Sequence, residues 1–101
     1  MAQPRQITEK GRLYKMNNEQ RMKNLSTPTG KIDVVLDTDA YNEIDDQFAI
    51  SYMLKSKEKL NVKAICAAPF LNPRSKSAKD GMEKSYDEIL RLLSFMNEKI
   101  D

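Results

Sequence analysis

Apolar and polar positions alternate between two periods along this chain, and the switches between them outline its elements. Val34, Val35 and Leu36 lie in a run over 33–37 that predicts a short buried strand. Phe48, Ala49, Tyr52 and Met53 then follow at the spacing of one helical face, which predicts a helix over about 46–55. A second apolar run at 62–68 reads as a strand, and 69–76 as a loop. A helix over about 78–97 follows from Met82, Tyr86, Ile89, Leu90, Leu93 and Met96, with Lys84, Asp87, Glu88 and Arg91 on the opposite, solvated face. Tyr86 therefore reads as a core or interface residue. The alternation implies an α/β fold: parallel strands joined by a right-handed crossover, the opening βαβα unit of a doubly wound, mostly parallel sheet.

Residues 1–30 break the pattern. They are polar and basic, with Leu13, Met16, Met22 and Leu25 as isolated apolar points, and they end in Thr27-Pro28-Thr29-Gly30. This reads as a mobile arm with one short helix from Asn18 to Leu25, closed by a turn before the domain of 31–101. Such an arm is either a partner contact or a solvated tail.

Four aspartates, Asp37, Asp39, Asp45 and Asp46, fall between the first strand and the first long helix. Carboxylates at the edge of a core are costly unless a metal, a cation or hydrogen bonds compensate them, so a site is expected here. If strand geometry persists, Asp37 and Asp39 leave the carboxyl end of the strand on one side, while Asp45 and Asp46 sit at a helix N-terminus. The two pairs can converge across one loop. Oxygen donors without Cys or His favour calcium or magnesium over zinc or copper. Caps and a solvated loop are the plainer account of any one of these aspartates. An EF-hand loop from Asp37 fails, because Asn42 and Phe48 stand where Gly and Glu are required.

The order of apolar strand, Asp37-Thr38-Asp39, short loop, Asp45-Asp46 and helix resembles the inosine-uridine preferring nucleoside hydrolase family, which carries such a motif around a calcium ion. The resemblance continues through Ala64-Ile65-Cys66-Ala67-Ala68-Pro69-Phe70, Asn72-Pro73-Arg74-Ser75 and Asp80-Gly81-Met82-Glu83-Lys84-Ser85-Tyr86, covering about 31–95. The chain departs from the commonest motif, a shorter Pro-Gly loop, in having Ala40-Tyr41-Asn42-Glu43-Ile44. The aspartate-nucleophile phosphatases also follow a strand with Asp-x-Asp, but they expect Thr or Val where Tyr41 stands, and their motif leaves Asp45-Asp46 unexplained.

What the resemblance implies is calcium-dependent hydrolysis of the N-glycosidic bond of a ribonucleoside. Asp39 and Asp46 match calcium ligands, and Asp39 also matches the base that takes a proton from water. Asp45 matches a residue that binds ribose hydroxyls, and Asp37 supports the cluster. Asn72 is the nearest match to a ribose-contacting asparagine, or else opens a turn before Pro73. Arg74 pairs with an aspartate or with substrate. Family members are much longer and draw further ligands from regions without a counterpart here, so the expectation is a truncated N-terminal portion of such a domain. Two readings remain: a hydrolase half-site completed by a complementing C-terminal polypeptide or by homo-oligomerisation, or a catalytically silent interaction module.

Composition narrows the rest. With 101 residues, 40% of them hydrophobic, the chain has room for one small core. Its 17 basic and 15 acidic side chains are intermixed and leave a formal charge of +2, which gives no reason to expect nucleic acid or an anionic membrane as partner. No apolar run approaches the ~20 residues of a membrane span, and the first residues lack a secretory signal's apolar core, so a cytoplasmic location is the default expectation. Cys66 reads as a small core residue. There is no histidine, so any acid or base must be a carboxylate, Lys or Tyr.

Overall fold

A computed structural model describes residues 5–7 and 13–100. The elements run β1 (Arg5–Ile7), β2 (Leu13–Lys15), α1 (Asn18–Leu25), β3 (Ile32–Thr38), α2 (Asp45–Lys55), β4 (Leu60–Ala67) and α3 (Ala78–Met96). The fold is α/β, and β3 pairs with β4 in parallel, with Val34 opposite Val62 and Asp37 opposite Cys66. A one-residue irregularity after Val34 leaves Lys63 without a partner in β3. None of the described helices is long and apolar enough to cross a membrane.

Within the arm, α1 forms over the residues expected of it. Asn17 caps it by accepting a 2.7 Å hydrogen bond from the Gln20 N–H, and none of its residues is buried. The antiparallel pairing of β1 with β2 was not expected from the sequence. Residues 1–4, 8–12 and 101, included in the expected arm and domain, lie outside the described residues.

The period of two decides which β3 side chains are covered. Ile32, Val34, Leu36 and Thr38 turn inward, whereas Asp33, Val35 and Asp37 are exposed. Ile50 and Leu54 of α2 join Ile89 and Leu92 of α3 and fully buried Ala40 in one cluster, against Leu36, Val62, Ile65 and Ala67 of the sheet. Both helices therefore serve the same sheet face. Among the described residues nothing covers the other face, so Val35, expected to be buried, is 61% exposed. Cys66, expected in the core, is exposed for the same reason.

The helices bury faces other than the ones their large apolar residues predict. In α2 the buried positions are Ile50 and Leu54, while Phe48 and Tyr52 face outward. In α3, Gly81, Ser85, Glu88, Ile89 and Leu92 are buried, and Met82, Tyr86 and Leu90 are exposed. Small residues explain this rotation, because Gly81 and Ser85 let the loops of the sheet approach α3 closely. A Cβ at position 81 would overlap the Phe70 carbonyl oxygen and lie 3.0 Å from its carbonyl carbon. The fully buried Ser85 hydroxyl accepts the Tyr41 N–H at 3.4 Å.

Glu88, assigned from the sequence to the solvated face, is only 8% exposed. Arg91 reaches it with two hydrogen bonds, Nε to Oε2 at 2.8 Å and Nη2 to Oε1 at 2.6 Å. Gln47 of α2 adds a third, from Nε2 to Oε1 at 3.3 Å. The Arg91 hydrogen bonds lower the Glu88 pKa, against burial and with help from Gln47. A lowered pKa contributes stability above the unfolded value, lost as pH falls through the folded one. Glu88→Gln should therefore cost about 1–2 kcal/mol at pH 7. In urea unfolding followed from pH 7 downward, parent and variant should converge as the carboxylate protonates; a gap constant with pH would contradict the assignment.

Candidate functional site

The site forms where β3 stops. Thr38, the last residue of the strand, turns inward and is buried, and its Oγ1 donates a 2.6 Å hydrogen bond to Asp46 Oδ2. Burial of Ala40 then draws the chain under α3, and a turn closes with the Asn42 N–H on the Asp39 carbonyl at 2.7 Å. Helix α2 begins at Asp45 with both Asp45 and Asp46 in its first turn, where the helix dipole favours negative charge. The Ile44 N-cap offers no side-chain hydrogen bond; instead Asp45 Oδ1 accepts the Asp46 N–H at 3.1 Å.

Asp46, held by Thr38, and Asp39, the next residue of the chain after Thr38, are neighbours here, close enough for the Asp39 carboxyl group to act on Asp46. The Thr38 hydroxyl pulls the Asp46 pKa down, but burial and the neighbouring Asp39 and Asp45 charges outweigh it, and the net shift is upward. Among the described residues no Lys or Arg forms an ion pair with Asp37, Asp39, Asp45 or Asp46. Two carboxylates are thus held near each other with no Lys or Arg of the described residues paired to them. Asp45 stands beside them, exposed.

Asp37 does not join this group. Since β3 continues to Thr38, Asp37 projects from the uncovered face, and no hydrogen bond or ion pair ties it to the other aspartates. The strand geometry that would have put Asp37 and Asp39 on one side ends between them.

Asn72 lies in the loop after β4 and faces the cluster through an intermediary. Its Nδ2 donates to Asn42 Oδ1, and Asn42 Nδ2 donates to Asp39 Oδ2 at 2.9 Å. Asn72 Oδ1 accepts the Arg74 N–H at 2.9 Å, so the residue both opens a turn and approaches the site. The Arg74 side chain is exposed and in none of the ion pairs described; its carbonyl accepts from Lys84 Nζ at 2.8 Å. Phe70 is buried and stacks against Tyr41, ring centres 6.5 Å apart, which joins the two loops beside the cluster.

Thr38 and Asn42 are the members that the sequence reading missed. The period of two contained a signal for Thr38, since the neighbour of an outward Asp37 in a strand must face the helix. No spacing rule singles out Asn42.

No family model matches the chain, and neither a curated protein nor a solved structure does. Among the described residues no three Asp, Glu or Cys side chains are arranged to hold a metal ion. Asp39 and Asp46 offer neighbouring hard oxygen donors with no Lys or Arg paired to them among the described residues, which fits part of a calcium shell; 6 to 8 oxygens are needed for a whole one.

Proposed function

We propose that the Asp39–Asp46 pair is the calcium-binding part of a site that hydrolyses the N-glycosidic bond of ribonucleosides, completed by further polypeptide. The observation carrying this reading is the Thr38–Asp46 hydrogen bond, which sets Asp46 beside Asp39 at the carboxyl end of a parallel strand, where α/β sheets bind ligands, with no Lys or Arg paired to either among the described residues. On this reading the chain is the first unit of a doubly wound sheet of the nucleoside hydrolase type.

When bound, calcium neutralises the pair, orients the ribose and makes water more acidic. Asp39 acts as the base that accepts the proton of the attacking water. Asp46, steadied by Thr38, holds its carboxylate beside Asp39 as the second ligand. Asp45 has one oxygen on the Asp46 N–H and the other available for a ribose hydroxyl. Negative charge on this cluster also favours the positive sugar of an oxocarbenium-like transition state. Asp37, on the uncovered face, is left at most a supporting electrostatic role.

Completion from outside is supported by the uncovered sheet face and by exposed Ile44, Phe48 and Tyr52 along α2. The same surface also suits the second reading, a catalytically silent interaction module. Nucleoside binding in calcium distinguishes them. With inosine or uridine and calcium, the isolated chain should show no enzyme-like turnover, because nothing among its described residues is placed to stabilise the departing base. Inosine should nevertheless shift the Asp45 amide signal in calcium, and Asp45→Asn should abolish that shift. No response in the parent would overturn the ribonucleoside assignment, and turnover sensitive to Asp39→Asn would show that the chain completes its own site by association.

A further inference from the structure

We propose that Asn42 is a positioning residue for Asp39, the middle link of a directional hydrogen-bond chain from the β4–α3 loop to the carboxylate; the proposal rests on the reading of Asp39 as ligand and base. The direction follows from the groups at the two ends. The Arg74 backbone N–H can only donate, so it fixes Asn72 Oδ1 as its acceptor at 2.9 Å. Asn72 must then present Nδ2 to Asn42, which accepts through Oδ1. That leaves Asn42 Nδ2 for Asp39 Oδ2 at 2.9 Å, and an ionised carboxylate can only accept. Neither amide can flip without losing two hydrogen bonds, and each bond polarises the next.

The chain has a physical task. Asp39 carries one of two neighbouring carboxylates, which repel when both are ionised; left free, the Asp39 side chain would rotate away into solvent. Asn42 holds one of its oxygens, and the Asn42 N–H on the Asp39 carbonyl at 2.7 Å fixes the backbone from which that side chain extends. The cost of ordering the pair is thus met in the folded protein, before a ligand arrives. The same chain couples Asp39 to the loop carrying Asn72, so an event at the carboxylate reaches a residue that it does not touch.

Two measurements test this. The first uses calcium-free protein: urea unfolding of Asp39→Ala, Asn72→Ala and the double variant, each with Asn42 intact and in an Asn42→Ala background. With Asn42 present the effects should depart from multiplicative by about threefold in the unfolding constant, and in its absence they should multiply. The second follows amide NMR signals during calcium addition. The Arg74 signal should move in the parent and stay still in Asn42→Ala, whereas the Asp46 signal should respond in both; a merely structural Asn42 would leave the Arg74 response intact. Calcium binding without coupling would overturn the Asn42 proposal while the cation reading stands. Coupling without calcium binding would overturn the cation reading and reduce Asn42 to a link between loops.

Discussion

Gly81→Ala should destabilise the protein by about 1–3 kcal/mol, the range for overpacking a close contact. Helix propensity alone predicts the reverse, a gain of about 1 kcal/mol for alanine over glycine inside a helix. Sterics wins because the added methyl group would overlap the Phe70 carbonyl oxygen, with the Phe70 carbonyl carbon and ring Cδ1 each 3.0 Å away. Backbone cannot yield as the tip of a long side chain can. Either α3 shifts away from the loop or the loop moves with Phe70, and that loop also carries Asn72. Ser75, whose hydroxyl donates to the Phe70 carbonyl at 3.0 Å, would be displaced as well. Urea unfolding of Gly81→Ala beside the surface control Glu83→Ala decides the point. A midpoint for Gly81→Ala equal to or above that of the parent would mean that the close approach does not govern α3.

From Asn18 onward, element order was legible because two periods are written plainly in the chain, whereas the β1–β2 pair was not expected. The strand expected at 33–37 forms as Ile32–Thr38 and the helix expected at 78–97 as Ala78–Met96. Burial was less legible. Periodicity identifies a helix, but which face is buried depends on what meets it, and in α3 the closest contacts use Gly81 and Ser85, which carry no hydrophobic signal. Glu88 looked like a surface charge since its burial requires Arg91 and Gln47, the latter on another helix. Val35 and Cys66 looked like core residues because a run of apolar residues does not reveal that only one sheet face is covered.

The site divided along the same line. Asp39 and Asp46 come together because a strand, one loop and a helix start leave little freedom between them, a constraint that spacing expresses. Asp37 was misplaced because β3 ends at Thr38 instead of persisting to Asp39, so Asp39 turns to the cluster while Asp37 stays on the uncovered face. The Asn42 link could not be read at all, because an amide pair between two loops has no pattern along the chain.

Loss of a cation ligand is the other large effect expected. Asp46 supplies one of two neighbouring carboxylates, and its removal takes half of the formal charge from the pair, so Asp46→Ala should weaken calcium binding by about tenfold or more, as expected when ligand charge sets affinity. Asn72→Ala leaves both carboxylates in place and should weaken binding much less. At equal concentration calcium should also raise the unfolding temperature of the parent more than that of Asp46→Ala, since ligand stabilisation grows with affinity. Calorimetric calcium titration of the parent, Asp46→Ala and Asn72→Ala is the most direct test of the cation site. Binding by the parent that is strongly reduced in Asp46→Ala and largely retained in Asn72→Ala is the predicted result; equal affinity in the parent and Asp46→Ala, or no binding by the parent, would contradict it.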